Sequence, residues 1–138
     1  MPARSLNQGA NIVMQHLWVD YKFSYQWLLF TDVDCRVGPN WAYEISKNYD
    51  FSDYVIGLSK VHQKQSIVSK FQSIDFNMLM ISACATSYMN YPLACSGQNQ
   101  SYKKTVFQEV HGFKKISNLL QGDDSIFLQL CRSIKNLK

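Results

Sequence analysis

Thr31-Asp32-Val33-Asp34-Cys35 follows the apolar run Trp27-Leu28-Leu29-Phe30, and Gln121-Gly122-Asp123-Asp124 precedes the apolar, helix-like run Ser125-Ile126-Phe127-Leu128-Gln129-Leu130. Carboxylates that close a buried strand, or open a helix, are held rigidly and still face a ligand. An Asp-x-Asp pair at a strand end suits a hard divalent cation. Such an ion takes one or two carboxylates and fills its remaining positions with water and substrate phosphate. An Asp at the start of a helix suits a fixed proton acceptor. The two groups together point to metal-assisted transfer from a nucleotide-activated substrate.

These groups need a frame. The chain has 138 residues, 46% hydrophobic and 17% charged, which makes one domain or part of one with enough apolar surface for a core. Residues 26–31 read as a buried strand, because their apolar run is continuous rather than alternating. Pro39 suits the first position of a helix over about 39–49. Tyr54-Val55-Ile56-Gly57-Leu58 reads as a second strand in which Gly57 marks close backbone approach. The spacing predicts a helix over 5–18 and a longer one over 66–88, with Val68, Phe71, Ile74, Met78, Leu79 and Ile81 near one face. Pro92 ends the longer helix. Residues 93–103 read as short extended pieces around a Gly97 turn, and 104–111 as a short helix that Gly112 stops. A last helix is expected from Asp123 to the C-terminus. This order implies an α/β sheet with crossover helices, and it puts Asp32 and Asp34 at a strand's carboxyl end, where open sheets of this kind bind ligands. Because the chain opens on a helix, the expected sheet lacks its first strands.

Composition narrows the function classes. The net charge of +4 is modest, and the basic residues, Lys60, Lys64, Lys70, Lys103, Lys104, Lys114 and Lys115 among them, are scattered and form no nucleic-acid tract. Cys35, Cys84, Cys95 and Cys131 show neither a C-x-x-C pair nor zinc spacing, so they read as reduced thiols of a cytosolic compartment. The segment 76–95 carries no formal charge, yet Asn77, Ser82, Thr86, Ser87, Asn90 and Pro92 make it too polar for a span. It reads as a buried or membrane-surface helix.

Further stretches complete a pattern. Ser5-Leu6-Asn7-Gln8-Gly9, Leu29 to Cys35, Pro39-Asn40-Trp41, the run Cys95-Ser96-Gly97-Gln98-Asn99-Gln100-Ser101-Tyr102-Lys103-Lys104, then Phe107 to Phe113 and Gly122-Asp123-Asp124 stand in one order. In that order they resemble the motifs of family 2 glycosyltransferases of the GT-A fold. The resemblance covers nearly the whole chain. It has no counterpart for the family's nucleotide-binding first half or for its Gln-x-x-Arg-Trp motif, and His111 stands where the family has the first of two glycines.

The resemblance implies a GT-A fold, a mixed sheet flanked by helices, with residues 1–138 forming part of the catalytic domain. It implies inverting transfer of a sugar from a nucleotide sugar, a UDP-sugar, to an acceptor hydroxyl on a glycan or lipid-linked molecule, in polysaccharide or glycolipid synthesis. Asp34 would hold Mg²⁺ or Mn²⁺, and Asp32 would position ribose or metal-bound water. Asp124 would act as the base, with Asp123 capping the helix beside it. Asn7, Gly97, Gln98 and Asn99 would line the donor or acceptor pocket. The place of action would be the cytoplasmic face of the membrane or the cytoplasm, with membrane association through segments outside this chain and no nucleic-acid partner. The isolated 138 residues are expected to show no transfer, because half the pocket has no counterpart here.

Plainer readings stand beside these. Asp32 and Asp34 could be turn residues after a strand, Asp123-Asp124 an N-cap, and Asn99 a turn residue. The histidines His16, His62 and His111 share no ligand spacing and read as structural or surface residues. Trp18, Trp27, Trp41 and Phe71 read as core, and Arg132 as solvated. Two rival classes remain: a truncated or decayed glycosyltransferase without activity, and a polymerase palm. The palm fits poorly, since its Gly-Asp-Asp lies in a strand hairpin and its first motif spaces its Asp residues more widely.

Overall fold

The computed structural model describes residues 25–62, 65–116, 123–135 and 137–138, Asp123 by its backbone alone. The helix expected over 5–18, with Asn7 and Trp18, lies outside the described residues. The elements are β1 (Trp27–Phe30), α1 (Trp41–Ser46), β2 (Tyr54–Ile56), α2 (Ile67–Tyr88), β3 (Gln100–Lys103), α3 (Lys104–Glu109), a 3₁₀ turn (Lys114–Ile116) and α4 (Asp123–Cys131). The fold is mixed α/β around a three-stranded sheet of order β1-β3-β2. β3 runs antiparallel to both neighbours, with Phe30 and Ile56 each facing Gln100. Among the described residues every strand pairing is therefore antiparallel, where a mixed sheet was expected.

The central strand is the one the sequence shows least clearly. β3 begins Gln100-Ser101, and both residues are buried despite their polarity. Each is satisfied by a particular partner, as buried polar groups must be. The Ser101 hydroxyl donates to the Leu28 carbonyl at 2.7 Å and meets the Tyr49 hydroxyl at 2.8 Å. Tyr49 in turn stacks on Trp27 with ring centroids 3.7 Å apart.

Beyond Ser101, Tyr102 enters an aromatic core with Phe30, Tyr54, Phe107 and Phe127, and Phe113 closes that core against Phe107 and Phe127. α3 is stopped where expected. The Gly112 N–H donates to the Phe107 carbonyl at 2.8 Å, with Gly112 at φ 59°, and a Cβ there would come within 2.7 Å of the Phe107 ring. His111 also adopts a left-handed φ of 62°. That conformation favours glycine, and a side chain there costs roughly 1–2 kcal/mol.

The Tyr102 hydroxyl is wholly buried and has no hydrogen-bond partner among the described residues. Burial pushes its phenol well above the usual range, with nearby Cys131 and Asp124 adding to the effect, so the hydroxyl stays protonated. An unpaired buried hydroxyl costs free energy. Tyr102→Phe is therefore expected to raise stability by about 1 kcal/mol, read as a thermal midpoint roughly 3–5 °C higher by circular dichroism. A lower midpoint would show that the hydroxyl is satisfied.

α2 turns the opposite way from its apolar pattern. Ser66 caps it, its hydroxyl accepting the Ser69 N–H at 3.1 Å. The buried stripe is Ser69, Ser73, Met80 and Ala83, whereas Val68, Phe71, Ile74, Met78, Leu79 and Ile81 are exposed. The expected inward face, Phe71 included, thus faces solvent.

α4 stops at Cys131 instead of continuing to the C-terminus. The Ser133 hydroxyl takes the Leu130 carbonyl at 2.6 Å, and the Ser133 and Ile134 N–H groups bond three residues back, tightening the end. The Lys138 carbonyl then accepts the Asp53 N–H at the start of β2. The Asp53 carboxylate holds Lys103 Nζ at 2.6 Å and the Lys138 N–H at 3.1 Å. No helix among the described residues is long and apolar enough to cross a membrane.

Candidate functional site

The register decides which loops meet. Phe30, Ile56 and Gln100 lie side by side, with β1 and β2 ending there and β3 beginning. The segments 31–35, 57–58 and 95–99 therefore emerge at one end of the sheet. The ladder continues one step further, since the Gly57 N–H donates to the Asn99 carbonyl at 2.8 Å.

Asp124 is carried to this end by α4 and clamped there. The Gly97 N–H donates to its Oδ2 at 3.0 Å, and Gln100 Nε2 donates to its Oδ1 at 3.0 Å. Gln100 cannot turn freely, because its Oε1 accepts the Tyr54 hydroxyl at 2.6 Å and the Cys95 thiol at 3.4 Å. Burial pushes the Tyr54 phenol well above its usual range, with Cys95 beside it reinforcing the shift, so Tyr54 remains a donor. The Ser125 hydroxyl ties the loop to α4 through the Cys95 N–H and carbonyl. Gly97 leaves no room for a side chain: a Cβ would sit 2.5 Å from Asp124 Oδ2. The result is a half-buried carboxylate whose two oxygens are both fixed.

Asn99 is fixed as firmly. Its Nδ2 donates to the Leu58 carbonyl at 2.9 Å, and its Oδ1 accepts the Trp41 indole N–H at 2.9 Å. Gly57 makes this possible, as a Cβ there would fall 2.4 Å from the Asn99 amide carbon. Trp41 opens α1, so this bond ties the helix after the Asp32–Asp34 loop to the Gly97–Asn99 loop. Asn99 is thus more than a turn residue, and Trp41 is half-buried at the site rather than in the core.

At the end of β1, the Cys35 N–H donates to the Asp32 carbonyl at 3.1 Å and folds the loop back on itself. This brings a carboxylate oxygen of Asp32, one of Asp34 and the Cys35 sulfur within 4.8 Å of one another. Both carboxylates are exposed. Two open carboxylates fit Mg²⁺ or Mn²⁺ if phosphate and water complete the shell, whereas the soft thiol of Cys35 suits neither ion. All four cysteines are free, and burial pushes the Cys131 thiol up to about 12, which leaves it inert.

No protein-family model and no curated protein matches this sequence. The chemistry must be read from the site itself.

Of the expected site residues, Asp124, Gly97 and Asn99 are joined by the network around Gln100 and Trp41, with Gln98 between them in the loop. Asp32 and Asp34 stand at the same sheet end. Asp123 is the first residue of α4; its expected capping role and Asn7 lie outside what is described. Neither Gln100 nor Tyr54 was among the expected site residues, although Gln100 lies in the run 95–104 that carries the resemblance. Gln100 opens β3, and its burial there is what the sequence does not mark. Arg132, expected to be solvated, stacks on the Tyr91 ring with its guanidinium carbon 3.6 Å from the centroid, and it donates to Gln129.

Proposed function

We propose that this chain carries part of the catalytic site of a metal-assisted, inverting glycosyltransferase of GT-A type. The donor is a nucleotide sugar, a UDP-sugar, and the acceptor is a hydroxyl on a glycan or lipid-linked molecule. The observation that carries this reading is the Asp124 clamp. A carboxylate with both oxygens fixed stands at the sheet end that also bears the Asp32–Asp34 pair.

Asp34 and Asp32 would hold the divalent ion through their open oxygens. When bound, Mg²⁺ or Mn²⁺ offsets the negative charge that collects on a departing nucleoside diphosphate. Asp124 takes the proton from the attacking hydroxyl, and its two fixed contacts keep the accepting lone pair aimed. Gly97, Gln98 and Asn99 form the wall beside it, with backbone close enough to touch a ligand. The working place would be the cytoplasm or the cytoplasmic face of the membrane.

The test is nucleoside diphosphate release from a panel of UDP- and GDP-sugars by the protein expressed from its native gene. It is run with Mn²⁺ or with a chelator. Metal-dependent release that Asp34→Asn removes supports the proposal. Release that persists under chelation, or none from any nucleotide sugar, sinks it.

A further inference from the structure

Along the exposed side of α2 stand Ile67, Phe71, Ile74, Met78, Ile81, Ala85 and Tyr88, spaced alternately four and three residues apart. The six large ones are each 58–91% exposed. This alternation, which averages 3.5 residues, is the period of a coiled-coil seam. It places Ile67, Ile74, Ile81 and Tyr88 at d positions, and Phe71, Met78 and Ala85 at the a positions between them. The stripe lies opposite the buried side of α2, and its large side chains are exposed among the described residues.

The two charges of this helix fall at the flanks of the seam. Lys70 takes a g position and Asp75 the following e position, five residues on. That offset pairs g with e′ across a parallel, in-register two-stranded coil. Within the single chain neither residue has an ion-pair partner among the described residues, and both are exposed. The next g–e′ pair, Asn77 with Ser82, is neutral.

From these placements we infer that α2 is a self-association surface, on which a second copy of this chain docks its own α2 in parallel about a two-fold axis. The seam holds two Lys70–Asp75 ion pairs. The seam is about 33 Å long at 1.5 Å per residue. Its Phe71 and Tyr88 rings alone bury on the order of 600 Å² across the pair, about half of what a small specific interface needs. The four isoleucine and methionine positions of each copy supply the rest. Charge also separates this partner from a lipid surface. A membrane-surface helix carries a lysine- or arginine-rich polar face, whereas α2 has one lysine, one aspartate and a buried opposite face.

The experiment is sedimentation equilibrium of the 138-residue protein, with circular dichroism to check folding of each variant. The expected species has twice the 16.0 kDa monomer mass. Ile74→Glu and Met78→Glu, both at exposed positions, are each expected to weaken association at least tenfold and leave helicity unchanged. Lys70→Glu alone and Asp75→Lys alone weaken it several-fold, and the two together restore it, as only a Lys–Asp pairing does. A folded monomer at all concentrations overturns the proposal, as does a dimer indifferent to the stripe. A monomer that instead co-sediments with phosphatidylglycerol vesicles through Met78 overturns it in favour of a membrane surface.

Discussion

Asp124→Asn is expected to lower turnover by about 10²–10⁴-fold while donor binding survives, the loss typical of removing a positioned base. The substitution keeps the shape of the side chain but leaves one acceptor where there were two. Gly97 N–H and Gln100 Nε2 both donate to the carboxylate, so the new amide NH₂ must face a donor. Gln100 could relieve the clash only by turning over, and its Oε1 would then give up the bonds it accepts from the Tyr54 hydroxyl and the Cys95 thiol. The variant thus loses both the proton acceptor and half its clamp. The check is kcat measured beside donor affinity on the active protein. Loss of donor binding instead would move Asp124 from the proton to the metal side of the site.

Phe127→Ala is expected to cost about 3–5 kcal/mol of stability, the usual range for truncating a buried phenylalanine. Phe127 is 1% exposed and packs on Tyr54, Tyr102, Phe107 and Phe113. It lies one helical turn beyond Asp124, so it is also what presses α4 against the sheet end. Urea unfolding monitored by fluorescence gives the number, with Phe51→Ala as the contrast. Phe51 is exposed and lies outside α2, and its truncation should change the unfolding free energy by less than about 0.5 kcal/mol. If the two substitutions cost the same, the core is not where the structure puts it.

Sequence patterning alone was enough to place most elements. The continuous apolar run Trp27–Phe30, the helical spacing over 66–88 and the Gly112 stop are local signals, and these three elements lie within a few residues of expectation. The positions of Asp32, Asp34 and Asp124 at element ends were legible for the same reason. β3 falls within the extended stretch expected over 93–103, but its central, buried place was not legible, because Gln100 and Ser101 bond to partners 24 to 73 residues away and no local period records such contacts. Facing was equally hidden in α2, whose apolar period is clear while Ser69, Ser73, Met80 and Ala83 form the buried stripe on the other side. Periodicity tells how residues share a face; only packing tells which face goes in.

The same division holds for the candidate site. That Asp124 opens a helix, and that Gly57 and Gly97 sit where backbone must come close, belongs to the sequence by itself. That Gly97 yields space to Asp124 and Gly57 to Asn99, and that Tyr54 fixes Gln100 so that Gln100 can fix the carboxylate, was decided only in three dimensions. Hydrogen bonds between side chains far apart in the chain depend on strand register, and register is set by the sum of the core contacts rather than by any residue that makes the bond.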